Sequence, residues 1–279
     1  MTINSGNSRC KLSVIIPAYN EERRIGKTLD RYIEYFERKY GRDCEILVVL
    51  NGCKDGTESV VKNYINQSAI LQYVNFPEPI GKGGAIAKGF VLAQGEFIAY
   101  TDADGSAGPE MIDRLFVFLQ ENPEFACAIG SRNLPESRTL GRTVFRKLLT
   151  KSFNWLVNLL FNLHIQDTQC GAKVLTKAIV ERILPGLYIA GLSFDVNLLV
   201  EVRKNNGKIA EIPIDWFDDH DSTITNPLKS SILMLLSILQ LRINNSPFRK
   251  RLLWLKPLAD WLWSLVLSKK EREYLKIKH

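Results

Sequence analysis

The chain has 279 residues, 46% of them hydrophobic, enough to fill the core of one large α/β domain with an appendage, or of two small domains. Five scattered cysteines without a Cys-x-x-Cys pair argue against a disulfide framework and a structural zinc site, and they fit the reducing cytosol. The net charge of +7 is confined to residues 227–279, which hold 11 Lys/Arg and 3 Asp/Glu, so the remainder lacks the basic character of a nucleic-acid binder.

Strands and helices are predicted to alternate from Leu12 to about Gly130, as in a mostly parallel, Rossmann-like sheet flanked by helices. The polar residues 1–10 precede this region, contain no apolar core of a signal peptide, and are expected to be a flexible N-terminus. Runs of branched and aromatic residues predict strands at 12–16, 45–50, 71–75, 96–101 and 125–129. Helical spacing of apolar residues predicts helices at 21–40, 57–67, 84–93 and 109–121.

Two later segments read as apolar helices. Residues 148–163 carry more large apolar side chains than a solvent-facing helix tolerates, so they form either a core helix or a membrane-contacting one. Residues 230–243 are almost wholly apolar, but a helix of that length rises only ~21 Å. A bilayer core of ~30 Å is too thick for it to span.

Residues 227–279 are predicted to be a basic, amphipathic helical tail that associates with a membrane. Three of the five tryptophans lie here among Lys and Arg, a mixture typical of helices in the membrane interface. Lys256, Pro257 and Asp260 interrupt the apolar run and argue against a spanning helix. The alternative is a helical pair packed back onto the sheet. The Trp and Leu content favours lipid over nucleic acid as the partner, so no nucleic-acid partner is expected.

Polar clusters follow four of the predicted strands, at residues 17–21, 51–52, 102–106 and 130–132. The carboxyl ends of parallel strands meet at one edge of a sheet, where such folds bind ligands, so these clusters should converge. The most informative cluster is Asp102-Ala103-Asp104, because two carboxylates at that spacing can share one divalent cation. Such a cation can hold a nucleotide diphosphate.

The clusters belong to motifs that occur in a characteristic order. Val14 to Glu22, Asn51 to Thr57, Gly81 to Ala85, Asp102 to Gly105 and Gly130 to Arg132 together resemble inverting family 2 glycosyltransferases of the GT-A fold. Asp167-Thr168-Gln169-Cys170-Gly171-Ala172-Lys173 and Leu192-Ser193-Phe194-Asp195 look like the branch of dolichyl-phosphate glucosyltransferases and dolichol-phosphate mannose synthases. The resemblance covers roughly residues 11–223, and we assign a GT-A catalytic domain to residues 11–226.

On the donor side, the resemblance implies a nucleoside pocket lined by Pro17, Ala18, Tyr19 and Glu21. Asn51 stands where the family commonly has an aspartate, and an amide is less decisive between uracil and guanine. UDP-glucose and GDP-mannose therefore both remain possible donors. Lys82, in a predicted glycine-rich loop, and Arg132, after a Gly-Ser turn, are expected to offset phosphate charge.

The implied cofactor is Mg²⁺ or Mn²⁺, which would stabilise the leaving diphosphate as a Lewis acid. Asp104 is expected to coordinate the metal directly, and Asp102 to contact the metal or the ribose. His220, in an acidic stretch, is a candidate further ligand or phosphate contact, with a solvated side chain as the alternative.

The acceptor decides which residues complete the site. An alcohol acceptor needs a general base, which Asp195 could supply. A polyprenyl phosphate is already largely dianionic, with a second pKa near ~6, and needs instead a cationic seat and an apolar path. The segment 153–161 could form the path, and Asp167 and Gln169 could orient the acceptor phosphate or form a hydrogen-bonded turn. The cationic candidates are Arg146, Lys147, Lys151 and Lys173.

The predicted function is transfer of a hexose from a nucleotide sugar to polyprenyl phosphate by an enzyme peripheral to the cytosolic face of a membrane. Its catalytic candidates are Asp104, Arg132, Asp167 and Asp195. A second possibility is a family 2 transferase that acts on a saccharide or another lipid, with Asp195 as base. A third is a non-catalytic, membrane-docked module, which the clustered charges oppose, since they are costly without bound ions. The oligomeric state stays open, a homo-oligomer included.

Overall fold

A computed structural model describes residues 10–141, 144–217 and 227–246, with the backbone alone for residues 144–147 and 227–231. The strands are β1 (Leu12–Ala18), β2 (Cys44–Asn51), β3 (Leu71–Phe76), β4 (Phe97–Tyr100), β5 (Phe125–Ser131), β6 (Arg138–Leu140), β7 (Lys173–Thr176), β8 (Lys208–Pro213) and β9 (Asp215–Phe217). Seven of them form one sheet in the order β3-β2-β1-β4-β7-β5-β8, and β6 pairs with β9. Within the large sheet only β7 runs antiparallel to its neighbours.

Helices cover both faces of this sheet. They are α1 (Ile25–Tyr40), α2 (Thr57–Ile65), α3 (Gly81–Leu92), α4 (Pro109–Glu121), α5 (Val144–Phe161), α6 (Lys177–Ile183), α7 (Phe194–Lys204) and α8 (Pro227–Asn244). Apolar side chains of α1, α2 and α4 fill the core on one face, and those of α3, α5, α6, α7 and α8 fill it on the other. The chain therefore has the predicted α/β architecture, with a mostly parallel sheet between two helical layers.

The five predicted strands and the helices predicted at residues 21–40, 57–67, 84–93 and 109–121 all occur, but two of these helices begin elsewhere than expected. Helix α1 starts at Ile25 rather than Glu21, and the backbone N–H groups of Glu21 and Glu22 bond to the side chains of Thr57, the first residue of α2, and of Asp55 just before it. Asn20 has a φ of 54°, which also turns the chain away from a helical path. Helix α3 starts at Gly81, so the segment predicted as a glycine-rich loop is the first turn of a helix.

Helix α5 has both a face buried in the core and an exposed apolar face, so it shows features of both predicted kinds of helix. Val157 is fully buried in the core, while Trp155 and Leu159 are 67% and 66% exposed. Helix α8 is similar: Ile238 and Leu241 are buried against the domain, and its opposite face is apolar and partly exposed. Within the described residues, no helix is both long and apolar enough to cross a membrane.

The first helix of the predicted tail, α8, packs on the catalytic domain through Ile238 and Leu241. The remainder of the predicted tail, residues 247–279 with their three tryptophans, lies outside the described residues.

The antiparallel strand β7 decides which residues reach the carboxyl edge of the sheet. Its first residue, Lys173, pairs with Tyr100, the last residue of β4, and with Ile129 of β5. Because β7 runs the other way, the segment that precedes it, residues 167–172, lies at the edge where the parallel strands end. This places the later motif beside Asp102 and Asp104.

Candidate active site

The two carboxylates predicted to bind a metal lie in the loop after β4. Asp104 turns its Oδ1 to the backbone N–H of Ser106, at 2.9 Å, and Gly105 adopts a φ of 70° that allows this tight turn. Burial and the charge of Asp102 raise the pKa of Asp104 above its usual range. A carboxylate whose pKa is raised by burial and by a neighbouring carboxylate lies in a site that favours a cation.

Two side chains of α1 that the sequence analysis did not identify hold this loop in place by hydrogen bonds. Thr28 Oγ1 donates to the carbonyl oxygen of Ala103 at 2.8 Å. The buried hydroxyl of Tyr32 donates to the carbonyl oxygen of Ala107 at 2.9 Å and lies 3.1 Å from Thr101 Oγ1. Polar residues four positions apart on the apolar face of a predicted helix were the signal that could have identified this pair.

The loops after β1 and β2 are tied together on the donor side of the site. The backbone N–H of Glu21 donates to Thr57 Oγ1 at 2.8 Å, and the N–H of Lys54 donates to Asn20 Oδ1 at 2.8 Å. The carboxylate of Glu21 receives two hydrogen bonds from the guanidinium of Arg24, each 2.8 Å long. Burial raises the pKa of Glu21, although Arg24 opposes the shift. Because Arg24 already neutralises the carboxylate of Glu21, little of that negative charge remains for a ligand.

The other predicted pocket residues differ in how much of them reaches the surface. Tyr19 is 45% exposed at the end of β1, where its ring is accessible to a planar ligand. Pro17 is half-buried, and the side chain of Ala18 is 1% exposed and belongs to the core beneath the sheet. Ala18 can therefore contribute to a pocket only through its backbone, whose carbonyl oxygen already accepts from Cys53 Sγ at 3.3 Å.

Asn51 is buried, and its side chain supports the loop that leads into α3. Its Oδ1 accepts the backbone N–H of Ile80 at 2.6 Å. The next residue, Gly52, has a φ of 69°, and a Cβ there would lie 2.5 Å from the nitrogen of Pro79. The amide oxygen of Asn51 thus accepts one hydrogen bond within the protein, and its NH₂ group can donate to a nucleobase.

Lys82 lies on the first turn of α3, not in a loop. A Cβ at Gly83 would lie 2.5 Å from the carbonyl oxygen of Ile189, so this glycine permits close packing on residues 189–194. The Nζ of Lys82 forms an ion pair with Asp102 Oδ1 at 2.5 Å. Burial opposes the ammonium, but the carboxylates of Asp102 and Asp195 outweigh it and raise the pKa of Lys82. The predicted phosphate-binding cation is therefore paired with a predicted metal ligand.

Arg132 and Asp167 form a buried, bidentate ion pair. The Nε and Nη2 atoms of Arg132 lie 2.7 and 2.9 Å from the two carboxylate oxygens, and its backbone N–H adds a third bond at 3.0 Å. The guanidinium also stacks 4.9 Å from the ring centroid of Trp216. Burial disfavours the carboxylate, but Arg132 outweighs this and lowers the pKa of Asp167. Asp167 thus orients Arg132, whose side chain is only 12% exposed at the site.

The structure does not support Lys173 as an exposed cation for the acceptor. Its side chain is fully buried, and its Nζ donates to Asp195 Oδ1 and to the carbonyl oxygen of Cys170, each at 2.5 Å. The same Asp195 oxygen accepts the hydroxyl of Tyr100 at 2.5 Å. Burial works against the carboxylate, but Lys173 and Lys82 lower the pKa of Asp195. A carboxylate with a lowered pKa and 3% exposure is a poor general base for an acceptor.

The remaining acceptor candidates lie around α5 or outside the described residues. Lys151 is exposed on α5, and Gln169 is half-buried with an Nε2 that finds no hydrogen-bond partner among the described residues. The side chains of Arg146 and Lys147 and the whole of His220 lie outside the described residues. Asn154, a buried residue of α5 that sequence reasoning missed, bonds to the backbone on both sides of Asp167.

The comparison with known families is decisive at this point, because residues 13–184 match glycosyl transferase family 2. The chain belongs to glycosyl transferase family 2. The predicted family and enzyme class are therefore confirmed, and the chain is a glycosyltransferase.

This glycosyltransferase is similar over most of its length to enzymes of one branch. It is 33% identical over 241 residues to dolichyl-phosphate beta-glucosyltransferase of Dictyostelium discoideum, covering 83% of this chain and 73% of that protein. It is 34% identical over 244 residues to the human dolichyl-phosphate beta-glucosyltransferase, covering 84% and 75%. The similarity confirms the predicted resemblance to this branch.

Solved structures confirm the fold. The glucosyl-3-phosphoglycerate synthase of Mycobacterium tuberculosis superposes with a TM-score of 0.65 at 18% identity, covering 83% of this chain and 80% of that one. It has been crystallised with UDP and, separately, with Mn²⁺ and UDP-glucose. At this identity the likeness shows the α/β, GT-A-like fold alone.

The donor set of the family 2 site fits a hard divalent cation. Asp102 and Asp104 supply carboxylate oxygens, the ligands that Mg²⁺ and Mn²⁺ prefer, and burial together with the charge of Asp102 raises the pKa of Asp104. Among the described residues, no group of three or more His, Cys, Asp or Glu side chains could hold a metal by itself. A metal bound here would therefore take further ligands from a diphosphate, from water or from residues beyond those described.

Proposed function

We propose that this glycosyltransferase moves glucose from UDP-glucose to a dolichyl-type polyprenyl phosphate and forms a β-linked product. The observation that carries the proposal is the 32–34% identity, over most of the chain, to proteins named dolichyl-phosphate beta-glucosyltransferase. Glucose is favoured over mannose for the same reason. The structural neighbour crystallised with UDP-glucose supports the uridine nucleotide as the donor.

On the donor side, Asp102 and Asp104 would hold Mg²⁺ or Mn²⁺, which supplies Lewis-acid stabilisation to the departing diphosphate. Lys82 and Arg132 add positive charge at the same edge of the sheet. Tyr19 offers an exposed ring beside the nucleoside. The bond between the anomeric carbon and the diphosphate breaks as the bond to the acceptor oxygen forms on the opposite face, which inverts the anomeric configuration.

On the acceptor side, a phosphate monoester requires no general base, because it is largely dianionic at neutral pH. This agrees with Asp195, whose carboxylate is buried in an ion pair with Lys173 and is 2% exposed as a residue. The alternative acceptor, a saccharide or lipid hydroxyl, would need a base that Asp195 is badly placed to provide. The buried pair thus favours the phosphate acceptor.

A membrane surface fits the exposed apolar side chains of α5 and α8. Asn154 ties α5 to the backbone of residues 166–168, beside Asp167, and the neighbouring Trp155 is 67% exposed. The two helices contact each other, and their exposed apolar residues are Leu148, Leu149, Trp155, Leu159, Ile232, Leu235 and Leu239. We propose that this surface faces the cytosolic leaflet and delivers the lipid chain to the site.

The test is transfer of radioactive sugar into an organic-extractable lipid. Vesicles with dolichyl phosphate are incubated with the enzyme, Mg²⁺ or Mn²⁺, and either UDP-[¹⁴C]glucose or GDP-[¹⁴C]mannose. We expect labelled lipid from UDP-glucose, with a β anomeric linkage by NMR. We also expect Asp104→Asn to reduce the rate on the order of a hundredfold or more. The matched control is Glu121→Gln, at the last residue of α4, which should retain the rate.

Transfer from GDP-mannose alone would overturn the proposed donor. Absence of any labelled polyprenyl lipid, with a folded enzyme that binds UDP and Mn²⁺, would overturn the proposed acceptor. Full activity in EDTA would overturn the metal.

A further inference from the structure

We propose that Lys82 couples the binding of the divalent cation to the binding of the donor diphosphate. In this view its ammonium neutralises Asp102 until a cation and a diphosphate arrive together, and then exchanges the carboxylate for the diphosphate. The inference rests on the proposed metal-dependent function and deepens it, by naming the side chain that makes the metal and the nucleotide depend on each other.

The carboxylate of Asp102 is engaged on both sides. Its Oδ1 lies 2.5 Å from the Nζ of Lys82. Its Oδ2 lies so close to Gly171 that a Cβ added at that glycine would collide with it. A cation that coordinates Asp102 must therefore compete with the ammonium of Lys82 for the exposed side of this carboxylate. By Coulomb's law a bound ammonium repels a divalent cation at the same ligand.

Lys82 can change partners without a change in the fold. Its backbone is fixed, because the N–H of Gly83 donates to the carbonyl oxygen of Ala190 at 2.7 Å and Gly83 packs against Phe194. Its side chain is 26% exposed and flexible, so the ammonium can turn from Asp102 towards a ligand at the same edge of the sheet. The position at the first turn of α3 adds the positive end of a helix dipole for a diphosphate.

Two other cations of the described site, Arg132 and Lys173, are held in place by partners of their own. Arg132 is held by three hydrogen bonds to Asp167 and by the ring of Trp216, with 12% of its side chain exposed. Lys173 is fully buried on Asp195. Each of these two has a carboxylate of its own that is not a candidate metal ligand. Lys82 differs from both, because its principal partner is a candidate metal ligand.

The charges then predict positive coupling between metal and nucleotide. The cation displaces the ammonium from Asp102, and the diphosphate then binds that ammonium. Each ligand therefore removes an electrostatic penalty that would oppose the binding of the other ligand alone. Coupling is reciprocal: if UDP tightens the binding of Mn²⁺ by a given factor, Mn²⁺ tightens the binding of UDP by the same factor. We expect a factor on the order of tenfold or more in the wild type.

The test is a set of Mn²⁺ titrations of the full chain, by calorimetry and by EPR of free Mn²⁺, with and without saturating UDP. Lys82→Gln should bind Mn²⁺ alone about three- to tenfold more tightly than the wild type, and UDP should improve its affinity by less than about threefold. Lys82→Arg, which keeps the charge, should keep most of the coupling. Lys88→Gln removes a charge six residues further along α3 and should behave as the wild type.

A Lys82→Gln variant with wild-type coupling overturns the inference, and so does one that binds Mn²⁺ alone more weakly. If the wild type binds Mn²⁺ equally with and without UDP, the inference fails while the metal-dependent function stands. If the wild type binds no Mn²⁺ even with UDP, both fail.

Discussion

The buried pair of Lys173 and Asp195 allows a sharp prediction about structure and catalysis together. The two side chains are 0% and 3% exposed, and the hydroxyl of Tyr100 shares the same carboxylate oxygen. Lys173→Met and Asp195→Asn each leave one uncompensated charge in the interior. The double change removes both charges, and the introduced amide can still accept from Tyr100.

The expected cost of either single change is about 3–5 kcal/mol of unfolding free energy, because one buried partner loses its counter-charge. The pair is buried too deeply for solvent to screen its charges. The double variant should recover much of that loss, since replacing a whole buried pair by neutral groups is often close to neutral. The interaction energy from the cycle should therefore be about 2 kcal/mol or more.

The assay is urea unfolding of the four proteins, with glucose transfer measured in parallel. If Asp195 acted as general base, Asp195→Asn would abolish turnover without a large loss of stability, and Lys173→Met would not repair the defect. If it acts as a structural anion, stability and activity should fall together and return together in the double variant. Single changes that each cost less than about 1 kcal/mol, or costs that simply add, would refute the reasoning.

The same pair gives a pH dependence with a defined sign. Burial opposes the carboxylate of Asp195, but Lys173 outweighs it, so the pKa is lowered in the folded state. Its contribution to stability is present above the unfolded pKa, near ~3.9, and is lost as the pH falls through the folded value. The stability gap between the wild type and Asp195→Asn should narrow only below about pH 4.

Three further changes test other parts of the site and surface. Gly171→Ala places a Cβ against the carboxylate of Asp102 and should weaken Mn²⁺-dependent UDP binding on the order of tenfold, with an unchanged circular dichroism spectrum. The matched control is Gly26→Ala, where the nearest contact of the added Cβ lies at 3.5 Å, and it should leave UDP binding unchanged. Tyr32→Phe orphans a buried carbonyl and should lower the free energy of unfolding by about 1–3 kcal/mol in urea and weaken UDP binding. Trp155→Ser should change stability by less than about 0.5 kcal/mol yet reduce vesicle flotation severalfold. Unchanged UDP binding in the first two, or unchanged flotation in the third, would contradict the placements argued above.

The alternation of strands and helices could be read from the sequence because each element has a strong local pattern. Cys44–Asn51 is apolar almost throughout and is buried along its whole length, as expected of a central parallel strand. Helix starts were less predictable. Glu21 and Glu22, which precede α1, bond through their backbone N–H groups to residues more than thirty positions away, and no local pattern reports such contacts.

The site could be located from the sequence, but the pairing of its charges could not. Strand-end motifs indicate which residues reach one edge of the sheet, and Asp102 and Asp104 lie there as predicted. Lys173 was predicted to contribute to a cationic seat for the acceptor phosphate, but it is fully buried in an ion pair. Its burial depends on Asp195, which is 22 residues further along the chain. Thr28, Tyr32 and Asn154 escaped notice because their role is to hold backbone that lies distant in sequence.

The charged side chains at this edge of the sheet differ in whether a partner within the protein already neutralises them. Arg132 with Asp167, and Lys173 with Asp195, are closed pairs whose lowered carboxylate pKa values mark anions satisfied by the protein itself. Asp104 has the opposite shift, because burial and a neighbouring anion leave it short of positive charge. Among these three carboxylates, the direction of the pKa shift therefore separates the two that are paired within the fold from Asp104, the proposed metal ligand. Lys82 interacts with carboxylates of both kinds, since its ammonium is close enough to Asp102 and to Asp195 for each to raise the pKa of Lys82.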